Sequence, residues 1–214
     1  MYVDRTFVLG KATMTQDTHQ AIFTAAKKIF AERGYDGLSM RNLAKEVGIS
    51  LSVIYHHYSD KDVLLEEIFR LTNTKLGEER KLLKTPKSTD EAILQRIQFQ
   101  FDHMQDVVFI LKYYLHYRST FAKNATGWVP EKTSLHIQEV LEDGADRGEL
   151  RSGLDVVAEA KIITHAINGF VLEYYPAVPT GREKSRIIRE LHTFIMRSIT
   201  DSPMNVAQRE VPMR

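Results

Sequence analysis

Apolar residues recur along this chain at spacings of three and four, the mark of helices that bury one face. From Thr18 the first stripe runs Ile22, Ala25, Ala26, Ile29 and Phe30, and Gly34 is placed to end that helix. Tyr35 and Leu38 are available to close its open end. Ser39 predicts the cap of a short helix reaching about Val47, and Gly48 breaks it. Ser50 predicts the cap of a second short helix ending near His57. Asp60 does the same for a longer one whose apolar side is Val63, Leu64, Ile68 and Leu71. Thr85-Pro86-Lys87-Ser88-Thr89 is the clearest boundary, because proline stops a helix and Ser88 or Thr89 starts the next. Residues 90–107 and 108–122 then read as helices joined by a kink, 124–130 as a loop and 131–147 as a helix. Residues 148–155 form a turn with two glycines, and 155–175 and 182–200 read as the last two helices. No period of two persists over a useful length. The pattern predicts an all-α protein of about nine helices, a small N-terminal group followed by a larger bundle.

Residues 39–58 carry the spacing of a helix-turn-helix. Two short helices crossing steeply need a small residue at the crossing, which Ala44 supplies, and a residue tolerant of positive φ in the turn, which Gly48 supplies. Leu43, Val47, Ile49, Val53 and Ile54 face inward. Ser50, Leu51, Ser52, Tyr55 and His56 are left on the outer face of the second helix, whose N-terminal residues would enter a major groove. The capped ends at Ser39 and Ser50 offer backbone N–H groups to phosphate, and Lys61, in the first turn of the next helix, can reach the DNA backbone. For an arbitrary short helix these residues would be read as a solvated polar face.

The stretch Gly34-Tyr35-Asp36-Gly37-Leu38-Ser39-Met40-Arg41-Asn42-Leu43-Ala44-Lys45-Glu46-Val47-Gly48-Ile49-Ser50, then Val53-Ile54-Tyr55-His56-His57-Tyr58 and Lys61, resembles the DNA-binding domain of the TetR family of repressors. The resemblance covers about residues 16–76. It implies Ser39 and Arg41 at the start of the first motif helix, Tyr55, His56 and Lys61 as backbone or base contacts, and Tyr58 as an aromatic core plug. Many family members carry Lys-Gly-Thr or similar where this chain has Leu51-Ser52-Val53. Leu51 therefore removes a cation from the recognition helix; it either contacts a thymine methyl or weakens binding, so the operator sequence does not carry over from relatives. The implied partner is double-stranded operator DNA, bound by a homodimer.

Charge does not make this case. The 214-residue chain has a formal net charge of +1. Within residues 16–62, Lys27, Lys28, Arg33, Arg41, Lys45 and Lys61 are balanced by Asp17, Glu32, Asp36, Glu46, Asp60 and Asp62. There is no cysteine, which removes disulfides, thiolate metal sites and cysteine nucleophiles. No apolar run is long enough for a membrane span and no basic-then-apolar leader is present, so the expected location is the cytoplasm. Residues 1–15 read as a flexible extension, with Arg5 and Lys11 as the cations of a DNA-reaching arm in the sharper reading. Residues 202–214 read as a flexible tail.

Beyond residue 80 the resemblance is confined to helix count and a Gly148-Glu149-Leu150-Arg151 turn. It implies that residues 77–201 form an effector-binding and dimerisation domain. The stripes themselves agree, with Ile163, Ile167 and Phe170 on one helix and Ile188, Leu191 and Ile195 on the next as the expected dimer interface; burial within one subunit is the competing reading. Residues 99–128 are rich in aromatics and histidines. His103, Tyr114, Tyr117, Arg118 and Trp128, with His165 and Asn168 one turn apart, are the candidates for contacting a small apolar or aromatic effector, the alternative being ordinary core. A helical-bundle enzyme would need Glu-x-x-His motifs, and no glutamate has a histidine three residues later. No phosphate-binding glycine loop or nucleophile elbow is present, and no cofactor is implied. A protein-only adaptor would leave Tyr55, His56 and Lys61 without a role.

Overall fold

The computed structural model describes residues 16–123 and 131–200. Among the described residues every element is helical: α1 (Gln16–Gly37), α2 (Met40–Val47), α3 (Leu51–His57), α4 (Lys61–Lys81), α5 (Thr89–Asp102), α6 (Met104–Lys123), α7 (Glu131–Asp146), α8 (Val156–Tyr174) and α9 (Gly181–Ile199). The chain divides into two compact units. The described part of the first is 16–81 with 105–119, and that of the second is 82–104 with 120–123 and 131–200. The sequence alone drew the boundary near residue 76 and left all of α6 with the C-terminal part.

In the first unit, α1 buries Ile22, Ala26, Ile29 and Phe30, whereas Ala25 lies at the rim. Its regular geometry ends at Gly34, whose φ of 72° and ψ of −169° strain any residue bearing a Cβ. On α4 the buried face is Leu64, Leu65, Ile68, Phe69, Thr72 and Leu76, while Val63 and Leu71 are exposed. The stripe therefore runs through 64/65 and 68/69, and Val63 and Leu71 fall off it by a half and a quarter of a turn.

The α6 segment completes this unit from far along the chain. The Phe109 ring meets that of Phe30 edge-on at 5.3 Å, and Tyr113 stacks on Phe69 at 4.3 Å. The buried Asp106 carboxylate accepts hydrogen bonds from Lys27 of α1 and, at 3.2 Å, from Lys75 of α4. Burial pushes the Asp106 pKa up, but the Lys27 hydrogen bond and the charges of Lys27 and Lys75 outweigh it and hold the group below the usual carboxylate range. Lys112 of α6 donates to the carbonyl of Ala31.

In the second unit, α5, α7, α8 and α9 enclose a core that includes Ile93, Ile97, Leu141, Ile163, Ile167, Leu191 and Ile195. The break between α5 and α6 falls at His103, five residues before the expected kink, where His103 closes α5 by donating its N–H to the Phe99 carbonyl. The predicted cap at Ser88 is present: its Oγ accepts from the Glu91 N–H at 3.2 Å, and Glu91 accepts from the Lys87 N–H at 2.8 Å. The Gly148–Arg151 turn joins three helix ends. Gly148, at φ 69°, lets the Glu149 N–H close α7 onto the Gly144 carbonyl. The Glu149 carboxylate accepts from the Thr89 N–H at 2.7 Å, at the start of α5, and Arg151 donates to the Ser198 and Ile199 carbonyls at the end of α9. An acid at a helix start and a cation at a helix end both complement the helix dipole. The Arg147 hydrogen bond lowers the Glu149 pKa to about 2, against the opposing effect of burial and with help from the Thr89 N–H.

Candidate nucleic-acid interface

The motif is closed by local bonds. The Ser39 Oγ accepts from the Asn42 N–H at 3.1 Å. Gly48 adopts φ 74° and ψ 30°, which lets its own N–H reach Lys45 and the Ile49 N–H reach Ala44 at 3.0 Å. A side chain at residue 48 would be strained by this backbone. Leu43, Ala44 and Ile54 are buried where α2 and α3 pack, whereas Val47, Ile49 and Val53 are only half-buried. Tyr58 fills the core beside Phe23 and His19, each 6.3 Å away between ring centres, and burial followed by the Glu67 charge raises its pKa.

The outer face matches the expected set in part. Arg41, Ser50, Ser52, Tyr55 and His56 are exposed, Tyr55 by 51%. Ser39 and Leu51 are half-buried. Ser50 occupies the cap position of α3 without a capping bond; its hydroxyl pairs with that of Ser52 at 2.8 Å. Lys61 is turned inward. Its ammonium donates to the carbonyls of Tyr35 at 3.1 Å and Leu38 at 3.4 Å, and it lies 3.5 Å from the centre of the Tyr35 ring. It ties the end of α1 to α4 rather than projecting outward. Three further exposed residues escaped the sequence reading: Asn42 and Lys45 on α2, and His57, whose ring meets His56 edge-on at 4.9 Å. Lys45 lies four residues from Arg41 and three from Asn42, spacings that make helix neighbours, a signal that was available from the sequence.

The effector candidates are divided between the two units. Tyr117, in the first unit, donates its hydroxyl to Asp62, which also accepts from Tyr35 at 3.0 Å; burial, then the Asp62 bond, raises both tyrosine pKa values. Tyr114 is half-buried and Arg118 exposed in the same unit. In the second unit, His103 caps α5 with its ring 4.4 Å from that of Phe99. His165 is exposed with Nδ1 2.6 Å from the Lys161 carbonyl, and the half-buried Asn168 accepts from Gln100 at 3.1 Å. Trp128 lies outside the described residues, as do Arg5 and Lys11. The aromatic run at 99–117 is largely packing, because Phe99, Phe101, Phe109 and Tyr113 are all buried.

The expected dimer residues are packed inside the bundle. Ile163, Ile167, Ile188, Leu191 and Ile195 are buried within their own unit, and Phe170 is half-buried. The apolar side chains that α8 and α9 leave outside are Val157, Ile162 and Phe194, the last two 58% and 64% exposed.

Two short helices joined through a left-handed glycine, with an exposed second helix, define a helix-turn-helix protein. Residues 22–68 match the family model described as bacterial regulatory proteins, tetR family. The regulator AcrR of Shigella flexneri is 35% identical over 63 residues, which cover 29% of this chain and 29% of AcrR; less than a third of that relative is matched. The repressor AcnR of Corynebacterium glutamicum is 23% identical over 167 residues, covering 72% of this chain and 80% of AcnR. The solved structure of the ketosteroid transcriptional regulator KstR2 of Mycobacterium tuberculosis shares the fold, with a TM-score of 0.72 at 20% identity over 88% of this chain and 98% of KstR2. Residues 22–68 thus carry the N-terminal domain of the tetR family of bacterial regulatory proteins.

Proposed function

We propose that this regulator binds operator DNA as a homodimer, represses transcription there, and is released by a small apolar effector. The observation that carries the reading is the outward face of α3, where Tyr55, His56 and Ser52 stand exposed on a helix held by its buried Ile54. Arg41 and Lys45, exposed on α2, supply the phosphate-facing charge that the neutral domain lacks in bulk. Ser39 and Leu51 border this surface.

Dimerisation rests on the outer faces of α8 and α9. Ile162 and Phe194 are exposed, and Gly169 faces open space, so a second copy can approach closely. A two-fold dimer presents two α3 helices to two half-sites. For the effector, the second unit offers a hydrogen-bonded Gln100–Asn168 pair within an apolar bundle, the kind of polar group that orients an apolar ligand. The effector acts only through its differential affinity for DNA-competent and DNA-incompetent conformers. Repression is supported by the repressor AcnR among the relatives, and an apolar effector by the ketosteroid regulator KstR2 among the structures.

The test is selection of genomic fragments by the purified protein, followed by footprinting. A protected site with two related half-sites about one helical turn apart is the expected result. Unchanged affinity for that site in the Tyr55→Ala, His56→Ala double variant would sink the assignment of α3 as the reading helix.

A further inference from the structure

We infer that α3 reads its half-site mainly through thymine methyl groups, and that Leu51 is the residue that does so. The inference rests on the DNA-binding reading above and specifies its chemistry. Leu51-Ser52-Val53-Ile54-Tyr55-His56-His57 contains no Arg or Lys for the O6/N7 edge of guanine, no Asn or Gln for the N6/N7 edge of adenine, and no acid for the cytosine amine. The nearest cation in sequence after α3, Lys61, is engaged with the Tyr35 and Leu38 carbonyls. The two serine hydroxyls at the start of α3 are 2.8 Å apart and bonded to each other, so each has less capacity left for a base edge.

Beside the imidazoles of His56 and His57 further along, what the start of α3 offers the groove is hydrocarbon. Leu51 is its first residue and is half-buried, so part of its side chain remains accessible. Helical side chains lean toward the N-terminus, the end of a reading helix that goes deepest into the major groove. Tyr55 lies one turn on, on the same face, with half of its surface exposed. A leucine and a phenol ring side by side form an apolar strip, and the C5-methyl of thymine is the apolar feature that strip can match in the major groove. Arg41 and Lys45 on α2 are then left to the phosphates, which position the protein without reading sequence.

The experiment replaces each thymine of the selected half-site by uracil, which removes the methyl and keeps the pairing edge. Binding of the whole protein is measured by fluorescence anisotropy. At one or two adjacent positions uracil should weaken binding roughly fourfold, the equivalent of one buried methyl. In Leu51→Ala that thymine–uracil difference should vanish, while the salt dependence of binding stays as in the wild type, because no phosphate contact is lost. The uracil series needs no protein variant, so a folding defect in Leu51→Ala cannot hide the answer; Leu51→Met serves as a second variant that keeps the hydrocarbon. If a specific site is selected but uracil is tolerated at every position, the inference fails and the DNA-binding reading stands. If the difference survives in Leu51→Ala, Leu51 is not the reader. If no specific site is selected, the reading beneath it fails.

Discussion

The Lys61 ammonium sits 3.5 Å from the centre of the Tyr35 ring and donates to the Tyr35 carbonyl at 3.1 Å. One cation thus bonds the Tyr35 and Leu38 carbonyls where α1 ends and pins the first turn of α4 to them.

This geometry gives Lys61 a positioning role. In Lys61→Ala the melting temperature should fall by a few degrees, as expected for about 1 kcal/mol in a domain of this size. Operator affinity should fall with unchanged salt dependence. A slope of log K against log salt that shallows by about 0.9 would instead mark Lys61 as a phosphate ligand.

Asp106 supports a prediction with a pH window. Its folded pKa is held below the ordinary value, so its contribution to stability is present above the unfolded pKa of about 3.9 and is lost as pH falls through the lower folded value. Asp106→Asn should lower stability in urea at pH 7 by about 3 kcal/mol, since it leaves Lys27 without its buried partner. The gap between wild type and variant should close as the pH is lowered below 4. A gap of constant size from pH 7 to pH 3 would show that the charge of Asp106 is not the source.

On the outer faces of α8 and α9, Ile162→Glu with Phe194→Glu should give a folded monomer by sedimentation velocity, with weakened operator binding. Leu191→Ala should behave differently. It opens a cavity in the second unit, costs about 2–5 kcal/mol in denaturant melts, and leaves association intact wherever the protein is folded. Monomer formation by Leu191→Ala with no loss of stability would return the interface to the buried stripe.

Gly144 of α7 faces the start of α5 so closely that a Cβ there would stand 2.1 Å from the Thr89 Oγ1. Gly144→Ala should therefore destabilise by about 1–3 kcal/mol, and adding Thr89→Ala should recover part of it. No recovery in the double variant would place the strain elsewhere.

The parts legible in the sequence were those settled within a few residues. Gly48 must be left-handed and Ser39 must cap, whatever surrounds them, so α2, the turn and α3 could be placed from local chemistry. The direction of Lys61 is not legible because it depends on Tyr35, 26 positions away, and charge alone does not say which way a long side chain turns. The inward faces of α8 and α9 are not legible for another reason. Both α8 and α9 carry apolar residues on two sides, and periodicity cannot say which side meets the same subunit. Ile163 and Ile195 went inward and Ile162 and Phe194 stayed outside. The aromatic run of α6 likewise carries no sign in its sequence that it packs onto Phe30 and Phe69.

That last packing bears on how such a regulator could be cut and recombined. A segment ending at residue 81 would carry the whole helix-turn-helix yet lose Phe109, Tyr113 and Asp106, leaving Phe30 and Phe69 uncovered and Lys27 unanswered. The helix-turn-helix is therefore not a portable cassette. A chimera that transfers its operator choice to another regulator must carry residues 105–119 with it, or graft only the outward side chains of α2 and α3.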